Sequence, residues 1–175
     1  MIRGGKRHLK DGFDLVLIGD WQLKENPMPQ SVISILKEDH REVDELFERM
    51  EAASDRALKM KQKLFAQINE ALSAHAAAEE QILYPRMREL RPLRHNSFEA
   101  VEEHRLVKQM LAEIGRLEVG DEQWNAKVKV LIDLVRHHVK EEEGEYFKIL
   151  KAKLDKEELR QLGQRIQEFK EGFNM

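Results

Sequence analysis

The stretch LIDLVRHHVKEEEGEYFKIL, residues 131–150, places histidine and glutamate inside the apolar stripe of a helix. At 3.6 residues per turn, Leu131, Val135, His138, Glu142, Tyr146 and Ile149 fall on one face. A histidine and a glutamate four apart project side by side from adjacent turns, close enough to share one metal ion. An unpaired carboxylate on an apolar face costs several kcal/mol unless a proton, hydrogen bonds or a cation compensates it. The residues opposite Glu142 therefore decide what the helix is for.

Working outward, the same signature recurs. Ser31 is a suitable N-cap for a first helix with Val32, Ile35, Leu36, His40, Val43, Phe47 and Met50 on its stripe. A second helix, from about Arg56 to about Leu90, aligns Leu64, Ile68, Leu72, His75, Glu79 and Ile82, and Pro85 should kink it or end its first part. RPLRHN reads as a loop, with Asn96 and Glu99 as a capping box for a third helix bearing Val101, His104, Val107, Leu111 and Ile114. Gly120 and Asp121 mark the next turn, and the fourth helix runs from Val128 to about Lys153. Asp155 and Glu158 cap a short final helix through Leu159, Leu162, Ile166 and Phe169. Short loops between long helices predict an all-α, antiparallel up-down-up-down four-helix bundle over residues 31–153, followed by a C-terminal helix and tail over 154–175. Residues 1–30 are polar and glycine-rich around a short apolar run, and read as a flexible N-terminal extension.

The bundle is an internal repeat. His40 is followed 35 residues later by His75 with Glu79, and His104 is followed 34 residues later by His138 with Glu142. Two hairpins thus each supply one histidine and one His/Glu pair, an arrangement suited to two ions. The spacing H-x-x-x-E alone is weak, since His95/Glu99 and His137/Glu141 also fit it. His95 lies in the predicted loop, and His137 aligns with the less continuous stripe of Val130, Leu134 and Glu141. Glu80 is a further candidate ligand, whereas the runs Glu141–Glu143 and Glu102–Glu103 read as solvated faces.

Composition narrows the chemistry. At 175 residues the chain suits one domain. A net charge of -3 gives no ground for nucleic acid or an anionic membrane as partner. Without cysteine there is no disulfide, zinc–thiolate site or iron–sulfur cluster, so a metal must be held by histidine and carboxylate. No apolar run approaches membrane-spanning length, and the first residues lack a signal-peptide core, which together predict a cytoplasmic protein.

LKEDH at His40, HAAAEEQILYP from His75, EEH ending at His104 and HHVKEEEGEYF resemble the haemerythrin-like HHE cation-binding family over about residues 31–150. LYP ending at Pro85 matches YFK ending at Lys148, and counting back ten from each reaches His75 and His138. The resemblance implies two iron ions in a non-haem centre with a solvent-derived bridge, manganese or zinc being compatible with the same donors. It implies His40 and His75 on one ion, His104 and His138 on the other, and Glu79 and Glu142 as bridges. Oxygen-carrying members have a fifth histidine four residues from the His104 equivalent, where this chain has Ala100 and Lys108. Sensing or reduction of dioxygen or peroxide, nitric oxide binding or iron handling is therefore expected, rather than oxygen carriage. The alternative is a structural or interaction bundle in which a bound cation only stabilises the fold.

Overall fold

The computed structural model describes residues 30–173, and the expected N-terminal extension lies outside them but for Gln30. Among the described residues the only regular structure is helical, in the expected bundle. Helix α1 spans Val32–Ala52, and Ser31 caps it by accepting the Ser34 amide. Its whole predicted stripe is buried, His40 included.

The second bundle helix is continuous but changes winding. Helix α2 (Leu58–Ala78) passes through a π-helical turn, Glu79–Leu83, into α3 (Tyr84–Glu89). The Tyr84 amide donates to the Glu79 carbonyl five residues back, the mark of a π turn. The fourth bundle helix repeats this: α5 (Glu122–Glu141) passes through Glu142–Tyr146 into α6 (Phe147–Lys153), with the Phe147 amide reaching the Glu142 carbonyl. Lys148 stands where Pro85 stands in the first copy, so proline is not what forces the turn. Each turn begins at the glutamate of a His/Glu pair. Beyond the second turn the buried positions are Phe147 and Leu150, and Ile149 of the expected stripe is only partly covered.

The third helix departs from expectation at its start. Arg91–Leu93 forms one 3₁₀ turn and α4 spans Arg94–Ile114, so Asn96 and Glu99 lie inside the helix instead of capping it. Pro92 supplies a helical φ for the first turn, and fully buried Leu93 pins it to the core. Helix α5 starts at Glu122, earlier than Val128, just after Gly120, whose φ of 97° belongs to the left-handed region that glycine tolerates. Helix α7, Lys156–Glu171, opens with the expected Asp155/Glu158 capping box.

Two apolar clusters fill the bundle. One, around Leu36, Leu83, Met87, Ala100 and Phe147, extends to Leu159, Leu162 and Ile166 of α7. The other, around Phe47, Leu64, Ile68, Leu111, Trp124 and Leu131, fills the far end. The stripe histidines sit where the two clusters meet: His40 falls between Leu36 and Val43, and His104 between Ala100 and Val107. No described helix is long and apolar enough to cross a membrane.

Candidate metal centre

His40, His75, Glu79, His104, His138 and Glu142 converge in this layer, and all six are buried, the glutamates completely. Their donor atoms form two groups: His40, His75 and Glu142, and Glu79, His104 and His138, each within 4.8 Å. The glutamates join the histidine pairs crosswise. Glu79 Oε2 lies 3.1 Å from His75 Nε2 and 3.5 Å from His104 Nε2. Glu142 reaches His40 Nε2 at 3.3 Å and His138 Nε2 at 3.6 Å. Each carboxylate therefore touches one histidine of each pair.

All four Nε2 atoms point inward because each Nδ1 is engaged outward by a carboxylate. His40 Nδ1 meets Glu143 at 3.0 Å, His75 meets Asp39 at 3.1 Å, His104 meets Glu80 at 3.1 Å and His138 meets Glu103 at 2.6 Å. A carboxylate accepting the Nδ1 proton fixes the tautomer and leaves the Nε2 lone pair for a cation. Glu80 thus orients a histidine here, and Glu103 and Glu143, expected on solvated faces, do the same. Lysines hold three of these carboxylates: Lys37 on Glu143 at 2.5 Å, Lys108 on Glu80 at 2.7 Å and Lys170 on Asp39 at 2.5 Å.

Tyr84 carries no signal in the sequence beyond its place in the LYP motif. Its buried hydroxyl lies 3.0 Å from Glu142 Oε1, 3.1 Å from Glu79 Oε2 and 3.2 Å from His104 Nε2. The matching residue of the second repeat, Phe147, stacks on His40 with ring centroids 5.9 Å apart. The two halves of the centre are therefore chemically unequal. His137 is exposed and pairs with Glu141 at 3.4 Å, and His95 is also exposed. Ala100 is fully buried, and Lys108 is taken up by Glu80.

The electrostatics of the layer favour a proton on two of its histidines. Burial opposes charging His75, yet Glu79, Asp39 and Glu142 outweigh it and raise its pKa to about 10. Burial likewise opposes His138, which Glu142, Glu103 and Glu79 raise. Glu142 is held well below the usual carboxylate range, against its own burial, by His138, His40 and His75. Even so, His40 Nε2, Glu79 Oε1 and Glu142 Oε2 are buried without a hydrogen-bond partner. Buried imidazole and carboxylate atoms left without a hydrogen bond fit the cations that the resemblance implies. A cavity of about 280 Å³ reaches all four histidines between walls that include Val43, Phe47, Leu72, Val107 and Val135.

Residues 31–150 match the Hemerythrin HHE cation binding domain. The chain belongs to this family. A crystal structure of an HHE cation-binding domain-containing protein from Mycobacterium kansasii shares the fold, with a TM-score of 0.66 and 21% identity over 81% of this chain and 88% of that one. A protein of Nostoc sp. named DNA nickase is 30% identical over 131 residues, which are 75% of this HHE protein and 36% of the relative. The chain thus spans about a third of that relative's length. The family's domain binds cations, and the two His/Glu groups of this chain are able to hold them.

Proposed function

We propose that this HHE domain is a cytoplasmic di-iron protein that senses or reacts with dioxygen, peroxide or nitric oxide, or handles iron. In this reading His40 and His75 would hold one ion and His104 and His138 the other, with Glu79 and Glu142 placed to serve both. The observation that supports it most is the crosswise contact of each glutamate with one histidine of each pair. A single ion would leave half of those donors idle. Imidazole with carboxylate suits divalent iron, and two carboxylates offset part of the charge of two such ions.

When bound, iron would supply electrons for a small oxidant or a site for nitric oxide. The chain's own residues do the remaining work. The carboxylates on each Nδ1 aim the imidazoles, Tyr84 holds a hydroxyl proton beside Glu79 and Glu142, and the cavity beside the histidines has room for a small molecule. Lys108 and Ala100 offer no fifth imidazole, which favours reaction or sensing over carriage.

The deciding experiment is metal analysis after anaerobic iron reconstitution, followed by optical spectra with dioxygen, peroxide and nitric oxide. Two irons per chain with a spectral change is expected. One ion or fewer would refute the di-iron reading, and two ions with no spectral response would leave the structural bundle. The Nostoc relative's name adds one control: supercoiled plasmid should remain intact, as a net charge of -3 offers little attraction to phosphate.

A further inference from the structure

Helix α7 lies beyond the stretch that matches the family, yet it reaches the centre. Lys170 Nζ is 2.5 Å from Asp39 Oδ1, Asp39 Oδ2 is 3.1 Å from His75 Nδ1, and His75 Nε2 is 3.1 Å from Glu79 Oε2. Three contacts in series connect the last turn of α7 to a bridging carboxylate.

The seating of α7 explains why Lys170 arrives there. Leu159, Leu162 and Ile166 are buried in the cluster shared with α1. At Gly163 an added Cβ would stand 2.2 Å from the Gln30 carbonyl oxygen and 2.8 Å from the Val32 amide nitrogen. The backbone of α7 therefore rests on the first turn of α1, the helix that carries Asp39 and His40. Two turns after Gly163, on the same side of α7, comes Lys170. The other two lysines of this kind, Lys37 and Lys108, project from α1 and α4 of the bundle itself.

We infer that Lys170 is a positioning residue for the ion held by His40 and His75, acting through Asp39 on His75, and that α7 is thereby a working part of the centre. The inference rests on the di-iron reading. Asp39 is nearly buried, with its side chain 11% exposed, and both of its oxygens are engaged, one accepting from Lys170 and the other from His75. Removing the ammonium leaves one oxygen without its donor, and Asp39 can then rotate away from His75. The imidazole is then free to turn and present either nitrogen. A partner or a truncation that lifts α7 from α1 has the same consequence, which ties retention of this ion to docking of the C-terminal helix.

The test uses the full chain, reconstituted with ferrous iron, as wild type and as Lys170→Met, Lys170→Arg, Asp39→Asn and Lys108→Met. Iron content and the rate at which each ion is lost to a ferrous chelator are measured, with amide exchange at Leu162 and Ile166 reporting whether α7 stays seated. Lys170→Met and Asp39→Asn should each weaken one ion roughly 10–100-fold and leave the second unchanged, as outer-shell substitutions do. Lys170→Arg should restore most of the retention. Lys108→Met, acting through Glu80 on His104, should weaken the other ion. Wild-type rates for both ions in Lys170→Met with α7 seated, or in Asp39→Asn, would overturn the inference. A wild-type protein that takes up fewer than two irons would instead refute the di-iron reading on which it rests.

Discussion

Tyr84→Phe isolates one oxygen atom at the heart of the centre. The phenol occupies fully buried space, its ring volume is kept in the variant, and phenylalanine is what the second repeat carries at Phe147. What disappears is a hydroxyl 3.0 Å from Glu142 Oε1 and 3.1 Å from Glu79 Oε2. It has a single proton, so it makes one strong donation at a time, to one carboxylate or the other. A hydrogen bond to a charged group contributes about 1.5–3 kcal/mol. The acceptor carboxylates are wholly buried, so about 2 kcal/mol is expected for the metal-free protein. In a domain of this size that lowers Tm by about 4–8 °C. Urea and thermal unfolding of chelator-treated wild type and variant measure it directly. Equal stability of the two metal-free proteins would refute the reasoning, because it would mean that the carboxylates do not depend on Tyr84.

Four further outcomes are expected. His138→Ala and Glu142→Ala should fall below one iron per chain, and His137→Ala and His95→Ala should keep two, by metal analysis after identical reconstitution. His75, raised to about 10, stays protonated in the metal-free fold where the unfolded chain has lost its proton. Its contribution to stability is therefore full below about pH 6.5 and lost as pH rises through about 10, so Tm of the metal-free protein should fall over that window. Iron uptake must displace the same proton and should strengthen as pH rises, which titration calorimetry in buffers of different ionisation enthalpy would register. Phe47→Trp, which narrows the cavity beside the histidines, should slow the optical response to peroxide several-fold in stopped flow without changing iron content.

Much of this arrangement is written plainly in the chain. Stripe phase turns His40, His75, His104 and His138 inward, because a 3.6-residue period puts each on an apolar face, and the structure brings them to one height. The carboxylates behind them become legible once the repeat is followed one residue further. Asp39 and Glu103 directly precede His40 and His104, and Glu80 and Glu143 directly follow Glu79 and Glu142. In both copies the preceding acid engages the paired histidine, and the following acid engages the single one. A run of glutamates looks like a solvated face because helical counting assigns neighbouring residues to different sides. It does not reveal that a side 100° away still borders a neighbouring helix. Tyr84 is hidden for another reason. Ordinary winding sets residues five apart about 140° from each other, and only the change of winding at Glu79 lets it reach that carboxylate. Lys170 cannot be read from sequence at all, since its meeting with Asp39 depends on how two distant helices cross.

The π turns have one consequence for chain length. Elsewhere in the bundle, deleting a residue would rotate everything beyond it by about 100° and pull the following apolar side chains out of the core. Between Glu79 and Tyr84 the arithmetic reverses. With exposed Gln81 removed, the ladder closes into regular winding and Tyr84 follows Glu79 at four residues, still above it on the same side. The same holds for exposed Gly144 between Glu142 and Phe147. These two turns are therefore the places where the helices carry slack, and where an alignment against straighter relatives should open a one-residue gap.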